Sequence, residues 1–498
     1  MAFPIMIQGT MSNAGKSLIS AGLCRVFKQD GYRVSPFKSQ NMALNSFVTS
    51  EGREIGRAQA VQAEACGIEP SVYMNPILLK PTTDMGSQVI VNGKAVGNMT
   101  AADYFKYKKR LIPEILAAYE KLAENSDIIV IEGAGSPAEI NLKNDDIVNM
   151  GLAKMLKSPV LLAGDIDRGG VFAQLYGTVM LLEKEERELI KGVLINKFRG
   201  DIKILEPGLK EIEKLCSLKV AGVIPYVDVD IEDEDSLSGR LNRREGKELI
   251  DIAVIRLPKI SNFTDMNSID IIEGISVRYV DKSGLLKNPD MVVVPGSKNT
   301  IKDLIWLRES GIESEIKKLS QKGTPIIGIC GGYQMLGNTI KDPFNAEGGG
   351  EIDGMGLLDI NTEFLPEKNQ RQTRGRIISS GGDYKFLSGL FAEGYEIHMG
   401  RTSVGGRCDK INIECGKDIR TVGACRGNVL GLYIHGFFDS ESVLKGVKDF
   451  LFKRAGIEGG KSVMSWKEYK ETQYNYLADV IRKSVDMEYI YSVMGVKK

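Results

Sequence analysis

Histidine is nearly absent. Two residues, His398 and His435, serve a chain of 498, so any chemistry that needs an imidazole draws on these two. Cysteine is sparse as well: seven residues (24, 66, 216, 330, 408, 415 and 425), with no C-x-x-C pair among them. The spacing argues against a zinc ribbon. The odd count in a long chain argues against a disulfide scaffold and for a reducing cytosol. Long hydrophobic runs are missing too. Stretches such as Ile128-Ile-Val-Ile131 and Pro159-Val-Leu-Leu-Ala163 are too short to span a bilayer, so no membrane partner is expected. Nor is there an excess of either charge. Lys+Arg and Asp+Glu both count 65, which leaves no basic field for nucleic acid or an anionic membrane surface. The opening Met1-Ala-Phe-Pro-Ile-Met-Ile-Gln8 has no basic n-region and reads as a first strand, not a signal peptide. A cytoplasmic location follows as the expectation.

What is present is an ordinary globular composition, 43% hydrophobic and 26% charged, over a length too great for one core. Residues 1–230 alternate short apolar strands (Pro4–Gln8, Arg33–Phe37, Asp127–Glu132, Pro159–Gly164, Gly192–Asn196, Val220–Pro225) with amphipathic helices. That alternation predicts an α/β domain with a parallel sheet covered on both faces. Residues 231–249 read as a solvated linker, because the acidic Asp228–Asp235 and the basic Arg240–Arg244 adjoin or fill it. Strands resume at Asp251–Leu257 and Met291–Pro295, and residues 250–440 predict a second α/β domain. Residues 441–498 read as a polar helical appendage.

The segment Gly9-Thr-Met-Ser-Asn-Ala-Gly-Lys-Ser17 follows the first strand and opens a helix. Its glycines, Gly9 and Gly15, let the backbone curl so that successive N–H groups, that of Thr10 included, face a phosphate. The helix start adds partial positive charge. Lys16 is placed to reach the β- and γ-phosphates of ATP, and the Ser17 hydroxyl to bind Mg2+. The glycine spacing is one residue longer than the standard phosphate loop, so this is a variant. A magnesium–triphosphate site also needs carboxylates at neighbouring strand ends. Glu132 ends one strand, and Asp165 and Asp167 end another; each also suits a structural strand-end cap. Lys38, at a further strand end, is a candidate for a substrate carboxylate or a phosphate. Asn196 is a candidate reader of the nucleotide base.

The second domain holds Pro325-Ile-Ile-Gly-Ile-Cys-Gly-Gly-Tyr-Gln334. This reads as a buried strand, a glycine-framed turn and a helix, the arrangement that lifts a nucleophile out of a parallel sheet. Cys330 is therefore the candidate nucleophile. His435, ending the strand-like Val429–Ile434, is the first candidate base, and His398 is the alternative. Acyl transfer through sulfur builds an oxyanion that needs placed donors. The backbone N–H groups of Ser297, in the Gly-rich strand end Val292–Lys298, and of Gly331 are candidates.

Taken together, Gly-Ile-Cys-Gly-Gly-Tyr-Gln334 with the distant Leu432-Tyr-Ile-His-Gly-Phe-Phe438 resembles the cobyrinate/cobyric acid synthase branch of class I glutamine amidotransferases. The N-terminal half resembles the dethiobiotin-synthetase-like P-loop ligases of that branch, through Pro4–Ser17, Pro36–Ser46 and Gly164–Phe172; Gly394–Arg401 adds to the likeness. The resemblance covers about residues 2–440. It implies an ATP- and glutamine-dependent ligase of cobalamin biosynthesis, amidating the b, d, e and g carboxylates of adenosylcobyrinic acid a,c-diamide to adenosylcobyric acid. Two alternatives stand beside it. One is the same chemistry on an earlier corrinoid, as in cobyrinic acid a,c-diamide synthase, against which Gln40–Asn45 speaks. The other is a ParA/MinD-like ATPase switch, which leaves Cys330 and His435 without work. One departure shows: most class I domains carry His-x-Glu, but Phe437 stands two residues after His435. The resemblance implies a Cys–His dyad whose third member is absent or lies elsewhere, with Asp439 and Glu396 as candidates.

Overall fold

The computed structural model describes residues 2–81, 86–231, 249–457 and 464–496. Residues 232–248, which hold most of the expected linker, lie outside the described residues. The chain divides into two units. The first comprises Met1–Ala43, Glu54–Ile231 and Lys470–Lys498, and the second Leu44–Arg53 and Glu232–Tyr469.

The first unit is built on a six-stranded sheet in the order Lys219–Pro225, Ile190–Phe198, Val160–Asp165, Phe3–Gly9, Ile128–Glu132, Val34–Phe37. All neighbours pair in parallel. Alternate residues of each strand face opposite sides. Ile5, Ile7, Ile128 and Val130 enter one core cluster, while Met6, Ile129 and Ile131 enter another. Burial on both faces is why these strands read as near-continuous apolar runs. The chain reverses its winding at the central Phe3–Gly9, so the carboxyl ends of this strand and its neighbours border a ligand crevice. A second sheet (Gln40–Met42, Ile77–Pro81, Gly86–Val91, Lys94–Thr100) interrupts the alternation and was not expected.

Residues 441–498 do not form one appendage. Helix Glu441–Arg454 belongs to the second unit, and helices Trp466–Ser484 and Met487–Met494 lie mostly in the first. The reason is a stripe at helical spacing. Tyr474, Leu477, Ala478, Ile481 and Val485 pack into the cluster that holds Ile19, Leu23 and Phe27 of the phosphate-loop helix.

The second unit carries a twelve-stranded sheet. Its parallel part runs Ile275–Val280, Ile250–Ile255, Met291–Val294, Ile326–Ile329, Val429–Leu432. Antiparallel strands extend it from Asp418–Arg426 through Asp409–Cys415 to Ile360–Ser379 and Phe391–Val404. No helix among the described residues is long and apolar enough to cross a membrane.

Candidate active sites

In the first unit the loop between Phe3–Gly9 and the helix Lys16–Gln29 closes through Gly15, whose φ of 93° lies in the left-handed region. A Cβ there would stand 2.0 Å from Asn196 Nδ2, so glycine is required twice over. Asn196, the candidate reader of the nucleotide base, braces the loop: its Nδ2 donates to Ala14 O at 2.9 Å. Lys16 Nζ donates to Met11 O and Gly135 O at 3.0 and 3.1 Å, which curls the ammonium over the loop. The Thr10 N–H donates to Ala163 O, and its hydroxyl to Gln174 Oε1 at 3.1 Å.

Glu132 is the centre of a buried cluster. Its Oε1 accepts from Ser17 Oγ and Lys38 Nζ, both at 2.8 Å, and its Oε2 from Gln62 Nε2 at 2.5 Å. Burial opposes the charge, but Lys38 above all, with Gln62 and Ser17, holds the carboxyl below its usual range. Asp165 and Asp167 are not brought to this cluster. Their strand flanks Phe3–Gly9 on the side opposite Glu132. Asp165 pairs with Lys197 at 2.7 Å and Asp167 with Arg199 at 3.1 Å. Among the described residues no group of three or more His, Cys, Asp or Glu is arranged to hold a metal ion. A magnesium ion riding on a nucleotide fits nonetheless. Such an ion takes one or two protein oxygens, which Ser17 and Glu132 could supply, and draws the rest from phosphate and water.

In the second unit Cys330 sits between the strand Ile326–Ile329 and the helix Gly331–Met335, at φ 52° and ψ −105°. A positive φ at a non-glycine residue costs about 1–3 kcal/mol and marks a held turn. The glycine frame has a steric cause. A Cβ on Gly332 would come within 1.9 Å of Val294 O, and one on Gly331 within 2.9 Å of Ser297 N. The same closeness sets Gly331 beside Ser297. Ser297 is fixed in turn: its hydroxyl donates to Asp303 Oδ2 at 2.6 Å and accepts from the Asn299 N–H at 3.0 Å. Burial pushes the Asp303 carboxyl up to about 6, against the hydrogen bonds from Ser297 and the Lys259 N–H.

His435 is buried, and its Nδ1 lies 2.7 Å from Asp265 Oδ2. Asp265 Oδ1 accepts from the Gly436 N–H at 2.8 Å, so both carboxylate oxygens are committed to this turn. With Nδ1 on Asp265, the imidazole has Nε2 left over, and the nearby Cys330 side chain favours its protonated form. Burial works against the imidazolium. The Asp265 charge and hydrogen bond, with the Cys330 side chain, outweigh it and push His435 up to about 10. The orienting carboxylate is therefore Asp265, 170 residues upstream, and neither Asp439 nor Glu396. Glu396 serves another pair of elements. It accepts from Arg371 at 2.9 and 3.0 Å and from Thr373 at 2.7 Å. Burial would raise its carboxyl, but hydrogen bonds from His398, Arg371 and Thr373 and the Arg371 charge hold it at about 2. His398, the alternative base, stacks on Tyr433 at 3.8 Å, with Nδ1 2.8 Å from Gly400 O and Nε2 3.1 Å from Asn369 Nδ2.

Comparison with known proteins agrees with this two-site layout. A profile described as CobQ/CobB/MinD/ParA nucleotide binding domain matches residues 5–237. One described as CobB/CobQ-like glutamine amidotransferase domain matches residues 251–443. A cobyric acid synthase of Ruminiclostridium cellulolyticum is 58% identical over 500 residues, 99% of this chain and 97% of that protein. The chain belongs to the cobyric acid synthase family. Further members are similar along their whole length. Those of Lachnoclostridium phytofermentans and Alkaliphilus metalliredigens are 57% identical over 510 residues and 53% over 503, covering 99% and 98% of this chain and 99% of each relative. Family membership settles the fold class as a P-loop α/β domain joined to a class I amidotransferase-like α/β domain.

Proposed function

We propose that this chain makes adenosylcobyric acid by amidating the b, d, e and g carboxylates of adenosylcobyrinic acid a,c-diamide, with glutamine as nitrogen donor and ATP with Mg2+ as activator. It is a glutamine-hydrolysing, ATP-dependent carbon–nitrogen ligase of its family. The observation that carries the reading is the Cys330–His435–Asp265 line, in a chain that also bears a phosphate loop. A nucleotide switch has no use for a buried imidazole set between a sulfur and a carboxylate.

The chemistry divides between the sites. Asp265 fixes the tautomer and orientation of His435, which holds the Cys330 proton on Nε2. The sulfur attacks the glutamine carboxamide carbon, and the oxyanion that forms meets the N–H groups of Ser297 and Gly331. The C–N bond breaks, ammonia leaves with the proton from His435, and water later cleaves the thioester to glutamate. In the first unit a corrinoid carboxylate oxygen attacks the γ-phosphorus of ATP, giving an acyl phosphate and ADP. Gly15 and Lys16 hold the phosphates, Lys38 orients the attacking carboxylate, and Ser17 and Glu132 would hold magnesium; Thr10, with its N–H on Ala163 and its hydroxyl on Gln174, supports the loop. When bound, magnesium neutralises charge on the transferring phosphoryl group. Ammonia then displaces phosphate from the acyl carbon.

The test is incubation with ATP, magnesium, glutamine and the a,c-diamide, followed by mass spectrometry of the corrinoid. Successive amidation at each of the remaining carboxylates is expected. An a,c-diamide left unaltered, while cobyrinic acid itself is amidated, would move the assignment to the earlier step.

A further inference from the structure

Gln62 has no part in the chemistry above, yet it is packed against its centre. It lies on the helix Arg57–Cys66, is 1% exposed, and its Nε2 donates to Glu132 Oε2 at 2.5 Å. Because an ionised carboxylate only accepts, this contact fixes which end of the amide faces Glu132. The other end, Gln62 Oε1, is buried and has no hydrogen-bond partner among the described residues. Leaving a buried acceptor orphaned is costly. That cost persists most readily where a ligand repays it. The nearby Ser17 and Lys38 both bond Glu132 Oε1 and not Gln62 Oε1.

We infer that Gln62 is a positioning residue for the nucleotide's divalent cation. Its N–H pins one oxygen of Glu132, so the other is held toward Ser17. Its own Oε1 accepts a hydrogen bond from a water carried by the cation. The inference rests on the proposed roles of Ser17 and Glu132. An amide suits this place better than a second carboxylate, which would repel Glu132, or an apolar side chain, which would leave Oε2 without its donor.

The experiment compares the parent with Gln62→Met, which keeps the volume, and Gln62→Asn, which keeps the amide one methylene short. Affinity for ATP is measured by calorimetry in magnesium and in EDTA. Binding of Mn2+ to the protein–ATP complex is followed by electron paramagnetic resonance. Both variants are expected to bind Mn2+ about 10- to 100-fold more weakly, with affinity in EDTA unchanged. Equal Mn2+ affinity in parent and variants overturns the role of Gln62. So does an equal loss in magnesium and in EDTA, which marks a structural residue. A parent whose ATP affinity ignores divalent cations overturns the magnesium reading instead, so the two failures are distinguishable.

Discussion

At the scale of single residues, the second site reduces to three side chains with separable duties. Cys330→Ala is expected to abolish glutamine-driven amidation yet leave amidation from high ammonium intact, because it removes only ammonia supply. Near-parental glutamine turnover in that variant would remove Cys330 from the reaction. His435→Ala should match it, while His398→Ala keeps most glutaminase activity, since the His398 ring nitrogens are held by Gly400 and Asn369. A dead His398→Ala enzyme with an active His435→Ala one would reverse the assignment. Asp265→Asn tests the third duty. It keeps the shape but removes the charge that favours the imidazolium, and glutaminase kcat should fall on the order of 100-fold. It also carries a pH signature. His435 stands at about 10 in the folded chain, above the unfolded value of about 6.5. The pair therefore contributes its full stability below about pH 6.5 and loses it as pH rises through 10. The Tm gap between parent and Asp265→Asn should be widest near pH 6.5 and close toward pH 10; a constant gap refutes the pair. Cys330 and His435 were legible because glycines and strand ends announce them. Asp265 was not. It sits in the short turn Phe263–Met266, far along the chain and without periodicity, and its one trace was negative: Phe437 where a glutamate is usual.

At the scale of elements, what could be read depended on how a strand is buried. The central parallel strands are apolar on both faces and declared themselves, as did the phosphate loop between strand and helix. The sheet Gln40–Met42, Ile77–Pro81, Gly86–Val91, Lys94–Thr100 did not. Lys94–Thr100 is almost wholly exposed and carries no apolar run, and Gln40–Met42 is three residues of mixed polarity. The C-terminal helices were recognised as helices but placed wrongly, because an amphipathic stripe says that a face is covered and not by what. Here Leu477 is fully buried in the core that holds Ile19 and Phe27. Lys470 and Tyr474 add contacts to Glu64, at 2.7 and 2.9 Å. Leu477→Ala should cost about 2–5 kcal/mol, and the cost should fall on one unit. ATP binding is expected to be lost at a lower temperature while thermal inactivation of the glutaminase is unmoved. Loss of both at the same lowered temperature would mean that the two units unfold together.

At the scale of the whole molecule, the chain joins a hydrolase that makes a nucleophile to a kinase-like site that makes an electrophile. Neither product is useful alone: ammonia is protonated in water near neutral pH, and an acyl phosphate is hydrolysed. The two active sites occupy separate compact units with separate cores, so damage to one should leave the chemistry of the other standing. Lys16→Ala is the sharpest test. In the proposed mechanism the ammonium that curls over the loop acts on phosphoryl transfer and not on nitrogen supply. Its loss should lower corrinoid amidation on the order of 100-fold or more, equally with glutamine and with ammonium. Glutamine hydrolysis by Cys330 should persist in the same preparation, releasing ammonia that no carboxylate captures. This outcome is the mirror image of Cys330→Ala, which keeps ammonium-driven amidation and loses glutamine hydrolysis. An unchanged amidation rate in Lys16→Ala would show that the N-terminal loop is not the ligase site, and the two-site mechanism would fall with it.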